Sequence, residues 1–184
     1  MITARIQSLS KGFTLIELLV VIGILGILAS ALIATIDPFE QLKKAQDSNV
    51  KNSTVEFINA NLRYFTTHNG MPWASTNEGG YLGCSGNDYN AVSVNLNSSV
   101  DGGTTCVQAL ISDGELKTGY NTATNIIKEI YFTGSTNTVT ACYKPQSKAQ
   151  QRDANTIYGI DGTPTSATCK SKGGSADCYW CAVL

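Results

Sequence analysis

Glu17 is the only charged residue between Phe13 and Ile36, in a run of 24 otherwise apolar or small residues. A carboxylate near the centre of a membrane helix costs about 2.5–3.5 kcal/mol on insertion scales, and less towards an end, so its presence points to a function. The chemistry open to it is charge pairing with a cation in a dry environment. The other reactive side chains are six cysteines, at 84, 106, 142, 169, 178 and 181, all well beyond the apolar run. An even set of cysteines on an oxidising face reads as a disulfide framework. The spacing does not select a connectivity. Three bridges, two bridges with free thiols, and ligation of a metal remain open, and three bridges is the reading adopted.

Cys178-Tyr179-Trp180-Cys181 has the Cys-x-x-Cys spacing of a redox site. That chemistry needs a following helix to lower the thiol pKa, and only Ala182, Val183 and Leu184 follow. A zinc site would draw its remaining ligands from Cys142, another cysteine or His68 and is not favoured. Asp153, Asn155 and Asp161 could offer oxygens to calcium, but EF-hand spacing is absent and turn formation explains them more simply. No phosphate-binding, zinc-protease, nucleophile-elbow or dinucleotide motif occurs, so the chain is read as a structural protein and not an enzyme, with no cofactor. Thirteen basic residues against 14 acidic ones leave a net charge of −1, which argues against electrostatically driven nucleic-acid binding. The last third is mildly basic, so contact with DNA is only suggested.

The apolar run sets the elements that position these groups. As a helix it would extend about 36 Å, enough to cross a hydrocarbon core of about 30 Å. It is too long for the core of an ordinary secretory signal, and no small-residue cleavage site follows it. Arg5 and Lys11 precede it with no acidic residue between, which places the N-terminus in the cytoplasm and the rest outside. Gly23 and Gly26 would allow close approach of a neighbouring helix. Asp37-Pro38 with Glu40 is a helix start, so a break is expected near Thr35–Asp37 with a second helix from Pro38. Phe39, Leu42, Ala45, Val55, Ile58, Leu62 and Phe65 form a stripe at helical spacing, with an exposed polar middle over 47–54. Asn69-Gly70 and Pro72 would end this helix, with His68 solvated in its last turn.

Residues 71–105 are rich in Gly, Asn, Ser and Thr and read as a loop. A short helix is expected over Cys106–Ile111. Strands are expected over Ile126–Thr133, Thr138–Lys144 and Thr156–Ile160, the first two joined through Gly134-Ser135-Thr136-Asn137.

Lys11-Gly12-Phe13-Thr14-Leu15-Ile16-Glu17-Leu18-Leu19-Val20 resembles the processing and assembly motif of type IV pilins and pseudopilins. The resemblance implies cleavage between Gly12 and Phe13 by a prepilin peptidase, with N-methylation of Phe13. It also implies that Glu17 pairs with the N-terminal amine of an adjacent subunit as the helix leaves the bilayer. The implied fold is α+β and pilin-like: a long N-terminal hydrophobic helix whose C-terminal half packs on a small antiparallel, disulfide-bonded β-sheet head. Its parts would be a leader over 1–12, a membrane and filament-core half over 13–36, an amphipathic half over 37–69 and a head over 70–184. Many pilins have a kinking proline where this chain has Ala34; here the proline is Pro38.

A Cys84–Cys106 bridge would close the Gly/Ser-rich loop. The C-terminal cysteines could pin the tail to Cys142 or close a loop of their own, as disulfide-bounded regions do in many pilins. The implied partners are copies of the chain in a helical homopolymer, the peptidase, inner-membrane assembly machinery and the membrane before assembly. DNA or a host surface would be a target of the filament. The runner-up is a pseudopilin of a type II secretion-like system. A membrane-anchored module binding a ligand or metal is the alternative from another class.

Overall fold

The computed structural model describes residues 12–35, 37–73, 84, 94–99, 103–135, 137–165 and 178–184. The chain divides into two compact units, Met1–Pro38 and Phe39–Leu184.

The first unit contains helix α1, Leu15–Thr35. Its large apolar residues are exposed all round, from Leu15 at 83% to Ile33 at 71%, so the helix is hydrophobic on every side. Leu15–Ile33 is apolar and long enough to cross a membrane. The Ser30 hydroxyl donates to the Ile27 carbonyl at 2.8 Å, which removes an unpaired donor from the apolar surface. Asp37 lies outside both helices, and α2 begins at Pro38.

The second unit is an α+β domain built on α2, Pro38–His68. Helix α2 ends where Asn69 takes a left-handed φ of 53°, and Pro72 follows shortly after. Its buried face differs from the apolar stripe expected from spacing. Asp47, Val50, Thr54, Phe57, Ala60, Asn61 and Tyr64 are buried, together with Ile58. Phe39 and Leu42 are 73% and 67% exposed, and Val55 and Leu62 also face solvent. The expected exposed middle over 47–54 is thus partly core. Three polar residues can lie there because each has a partner. Thr54 donates to the Val50 carbonyl and Asn61 to the Phe57 carbonyl, both at 2.8 Å. Asp47 reaches across to residues 146 and 147.

Four strands form one antiparallel sheet in sequence order: β1 Val94–Asn95, β2 Ile130–Gly134, β3 Val139–Tyr143 and β4 Trp180–Val183. The β2–β3 hairpin pairs Phe132 with Ala141 and Tyr131 with Cys142. Strand alternation puts Ile130, Phe132, Val139, Ala141, Tyr143 and Trp180 in the core. Phe57 of α2 meets Phe132 at 5.3 Å between ring centroids, and Trp73 reaches the same ring at 5.6 Å. Helix α3, Gly103–Ser112, adds Cys106, Val107, Ala109 and Leu110 to this core. It stops at Gly114, whose φ is 82°.

The strand expectations are corrected in three places. Residues Thr124–Ile127 form a helical turn, α4, so β2 starts later than Ile126. Thr156–Ile160 is not a sheet strand; Tyr158 makes isolated bridges to Pro164 and Tyr179. The fourth strand is the C-terminal segment Trp180–Val183, which no turn signal or clear alternation marked. A further helical turn, α5, spans Lys148–Gln151 and is N-capped by the Ser147 side chain. Most of the expected loop over 71–105 lies outside the described residues.

The N-terminal processing and assembly segment

Gly12, Phe13 and Thr14 precede α1 without helical structure, and Phe13 is 79% exposed. Among the described residues, nothing lies within 4 Å of where a Gly12 Cβ would stand. Proteases bind their substrates extended, and the non-helical Gly12–Phe13 bond immediately before a stable helix has a backbone compatible with such binding.

Thr14 and Glu17 cap the helix reciprocally. The Thr14 backbone N–H donates to Glu17 Oε2 at 3.0 Å, and the Thr14 hydroxyl donates to the same oxygen at 2.8 Å. The Glu17 N–H in turn donates to Thr14 Oγ1 at 3.3 Å. This is the capping box, in which two orphan N–H donors at a helix start are satisfied together. The positive end of the helix dipole further favours the carboxylate there. Phe13, Ile16, Glu17, Val20 and Val21 line one shallow groove, so the carboxylate sits beside an apolar strip. Glu17 was legible as unusual, but Thr14 was missed as its partner. The signal was present, since Thr-x-x-Glu before an apolar run is a capping-box pattern.

Residues 7–33 match the family model described as the prokaryotic N-terminal methylation motif. The match spans Gly12, Phe13, the cap and most of α1. Over these residues the chain is similar to the N-terminus of type IV pilin-like prepilins. No curated protein and no solved structure gives a significant match to the chain. The α+β arrangement is also pilin-like: a long apolar N-terminal helix, a small antiparallel four-stranded sheet, and disulfides.

In the pilin-like head, Cys84 and Cys106 are bonded, fastening residue 84 to α3. Cys142 and Cys181 are bonded directly across the β3–β4 register, with Cα atoms 4.1 Å apart. Cys178 is also in a disulfide, and Cys169 lies outside the described residues. Cys181 therefore holds the last strand to β3 and forms no bond with Cys178.

The oxygen groups considered for calcium are used in turns. Asp153 Oδ1 accepts from the Asn155 N–H at 2.8 Å. Asp161 Oδ1 accepts from the Thr163 hydroxyl at 2.7 Å and its N–H at 3.1 Å, bonds that hold the Asp161 carboxyl below its ordinary pKa. Among the described residues, no three His, Cys, Asp or Glu side chains gather as a metal site. His68 stacks on Tyr64 at 4.0 Å, and its Nε2 lies 3.5 Å from Asp113. It serves the end of α2 and does not join the cysteines.

The polar residue that sequence reading missed in the head is Asp47. Its buried carboxylate accepts from the Gln146 N–H, the Ser147 N–H and the Ser147 hydroxyl, at 2.9, 2.8 and 2.6 Å. Two residue-turns earlier, Glu40 accepts from the Lys148 N–H. Together they fasten the start of α5 to α2. Nothing in the local sequence marks Asp47, because its partners lie about a hundred positions away.

Proposed function

We propose that the chain is a structural subunit, not an enzyme, of a type IV pilus-like surface filament. A prepilin peptidase cuts between Gly12 and Phe13 and methylates the new Phe13 amine. The subunit then waits in the membrane through α1 and polymerises with copies of itself, driven by inner-membrane assembly machinery. The observation that carries this reading is the methylation motif over 7–33, which includes a non-helical Gly12–Phe13 bond before a helix exposed from Leu15 to Ile33. The assembled filament would serve adhesion, motility or DNA uptake.

The capping box gives this reading a physical sequence. While the subunit waits, Thr14 supplies both donors to Glu17 Oε2, so the carboxylate near the end of the membrane helix is not left bare. On assembly, the Phe13 amine of an adjacent subunit meets that carboxylate. A misregistered neighbour would leave two charges unpaired in an apolar bundle, so the pair specifies stagger as well as offsetting desolvation.

Glu17→Ala tests this directly. The expected result is a processed protein that remains in the membrane fraction and forms no surface filaments, while Glu17→Asp assembles partially. Wild-type amounts of filament from Glu17→Ala would overturn the reading. Imaging surface filaments and identifying their subunit distinguishes a pilin from a pseudopilin.

A further inference from the structure

The base of the head presents an apolar pair that its own core does not cover. Phe39 and Leu42 are 73% and 67% exposed in the first turns of α2, although the later turns bury their facing stripe. Lys43 and Lys44 follow directly and are exposed, as is Lys148. Lys148 is at the same level of α2, because its N–H is bound by Glu40. The two carboxylates on these turns, Glu40 and Asp47, are turned onto backbone donors of residues 146–148. What remains outward around these turns is an aromatic ring, a leucine and three ammonium groups, beside the exposed Asp37 carboxylate that precedes α2.

We propose that this surface docks the head on the anionic lipid headgroups of the bilayer that holds α1. The covalent chain brings it there. The apolar span ends at Ile33 and α1 at Thr35, so Phe39 stands at most about 17 Å beyond the span even with the connection fully extended. Aromatic rings and leucines bury at the headgroup boundary while lysine stems reach out to phosphate. Charge complementarity selects lipid over a second copy, because three lysines against Asp37 leave the patch net positive, and it would repel its own image. The consequence is a subunit held close against the membrane before it polymerises, which extraction into a filament must release. The proposal goes beyond filament formation and needs only that α1 is embedded.

The test uses the full chain in vesicles, with a tryptophan as reporter. Trp73 and Trp180 are buried, so Phe39→Trp adds a separate signal, and Leu42→Trp is a second probe on the same surface. Vesicles are made of phosphatidylcholine, or of an equimolar mixture with phosphatidylglycerol, each with and without bromine on the acyl chains near the headgroup. The expected result is blue-shifted emission from residue 39, quenched by bromolipid in the mixed vesicles. Replacing Lys43 and Lys44 by Gln should lower the docked-to-free ratio about fivefold per lysine at low salt. Water-like emission without quenching at both probes overturns the proposal. So does blue-shifted, unquenched emission that grows with protein density, which would mean that a second copy covers the patch. Quenching that ignores phosphatidylglycerol and both lysines also overturns it. Alkaline carbonate extraction is the control: a chain stripped from the vesicles overturns the premise shared with the filament reading, whereas a retained chain without quenching overturns the docking alone.

Discussion

Asp47 and Ser147 meet through two hydrogen bonds, although exactly 100 positions separate them in the chain. The hydroxyl bond is 2.6 Å and the N–H bond 2.8 Å, both to Oδ2 in a buried setting. Ser147 then caps α5 with the same hydroxyl oxygen, accepting from the Gln150 N–H at 3.3 Å. The long helix and the strand-following loop after β3 are thus joined by one carboxylate.

Removing that carboxylate should loosen the head. Asp47→Ala leaves the buried Ser147 donors and the part-buried Gln146 N–H without this acceptor, a loss of about 2–4 kcal/mol. Ser147→Ala should cost about 1–2 kcal/mol, and the double variant less than the sum, because the two side chains share a bond. Denaturant unfolding of the detergent-solubilised chain, followed by Trp73 and Trp180 emission, would measure all three. Strict additivity would show that the pair is not coupled.

Tyr120 makes the head sensitive to alkali. Burial pushes its phenol well above the ordinary value near 10, with the nearby Glu56 adding to the shift, and its hydroxyl donates to the Ser53 carbonyl at 2.9 Å. The folded form therefore keeps a proton that the unfolded chain gives up. Its contribution is fully present below about pH 10 and falls above it, by about 1.4 kcal/mol per pH unit. Tyr120→Phe should cost about 1 kcal/mol at neutral pH and flatten this alkaline limb. An unchanged slope in melts between neutral and strongly alkaline pH would contradict the assignment.

Gly134 at the end of β2 faces the Trp73 indole. A Cβ placed there would come within 2.7 Å of the ring's Cε2, while the indole N–H donates to the Ser135 carbonyl at 2.8 Å. Gly134→Ala should displace the ring and cost about 1–3 kcal/mol. A change in tryptophan emission should accompany the lost stability; an unaltered spectrum with native stability would show that the ring has room.

The Cys84–Cys106 and Cys142–Cys181 bridges close long stretches of chain, with sequence separations of 22 and 39. By chain-entropy reasoning each contributes about 3–4 kcal/mol. Replacing Cys142 and Cys181 together by Ala should therefore lower the unfolding midpoint clearly and free β4 from β3. Hydrogen exchange at Trp180–Val183 reads that release directly, and protection as strong as in the parent would contradict it.

What the sequence made legible followed the range of the interactions. Glu17, the apolar run and the Asp37-Pro38 helix start are local signals, each decided within a few residues. The β2–β3 hairpin was visible because apolar alternation and a polar turn lie side by side in the chain. Strand β4 was hidden because its partner, β3, ends 37 positions before it begins, and cysteines occupy places where alternation would show. The buried face of α2 was misread for a related reason. Asp47, Thr54 and Asn61 count as polar in any periodicity, yet the Asp47 carboxylate, the Thr54 hydroxyl and the Asn61 amide N–H₂ find partners in donors of the α5 start and in carbonyls one turn away. Thr14 differs from these: its Thr-x-x-Glu pattern is local and readable, but the cost of a charge in an apolar helix marks Glu17 alone and not its cap.

The central claim is that this chain is processed at Gly12 and polymerised through the helix that begins with Phe13. Mass spectrometry of the N-terminal peptide, taken from sheared surface filaments of a host with prepilin peptidase, tests both halves at once. The account predicts a chain that starts at Phe13 with a single methyl group on its amine. Filaments lacking this chain, or a chain that retains Met1 to Gly12, would contradict it.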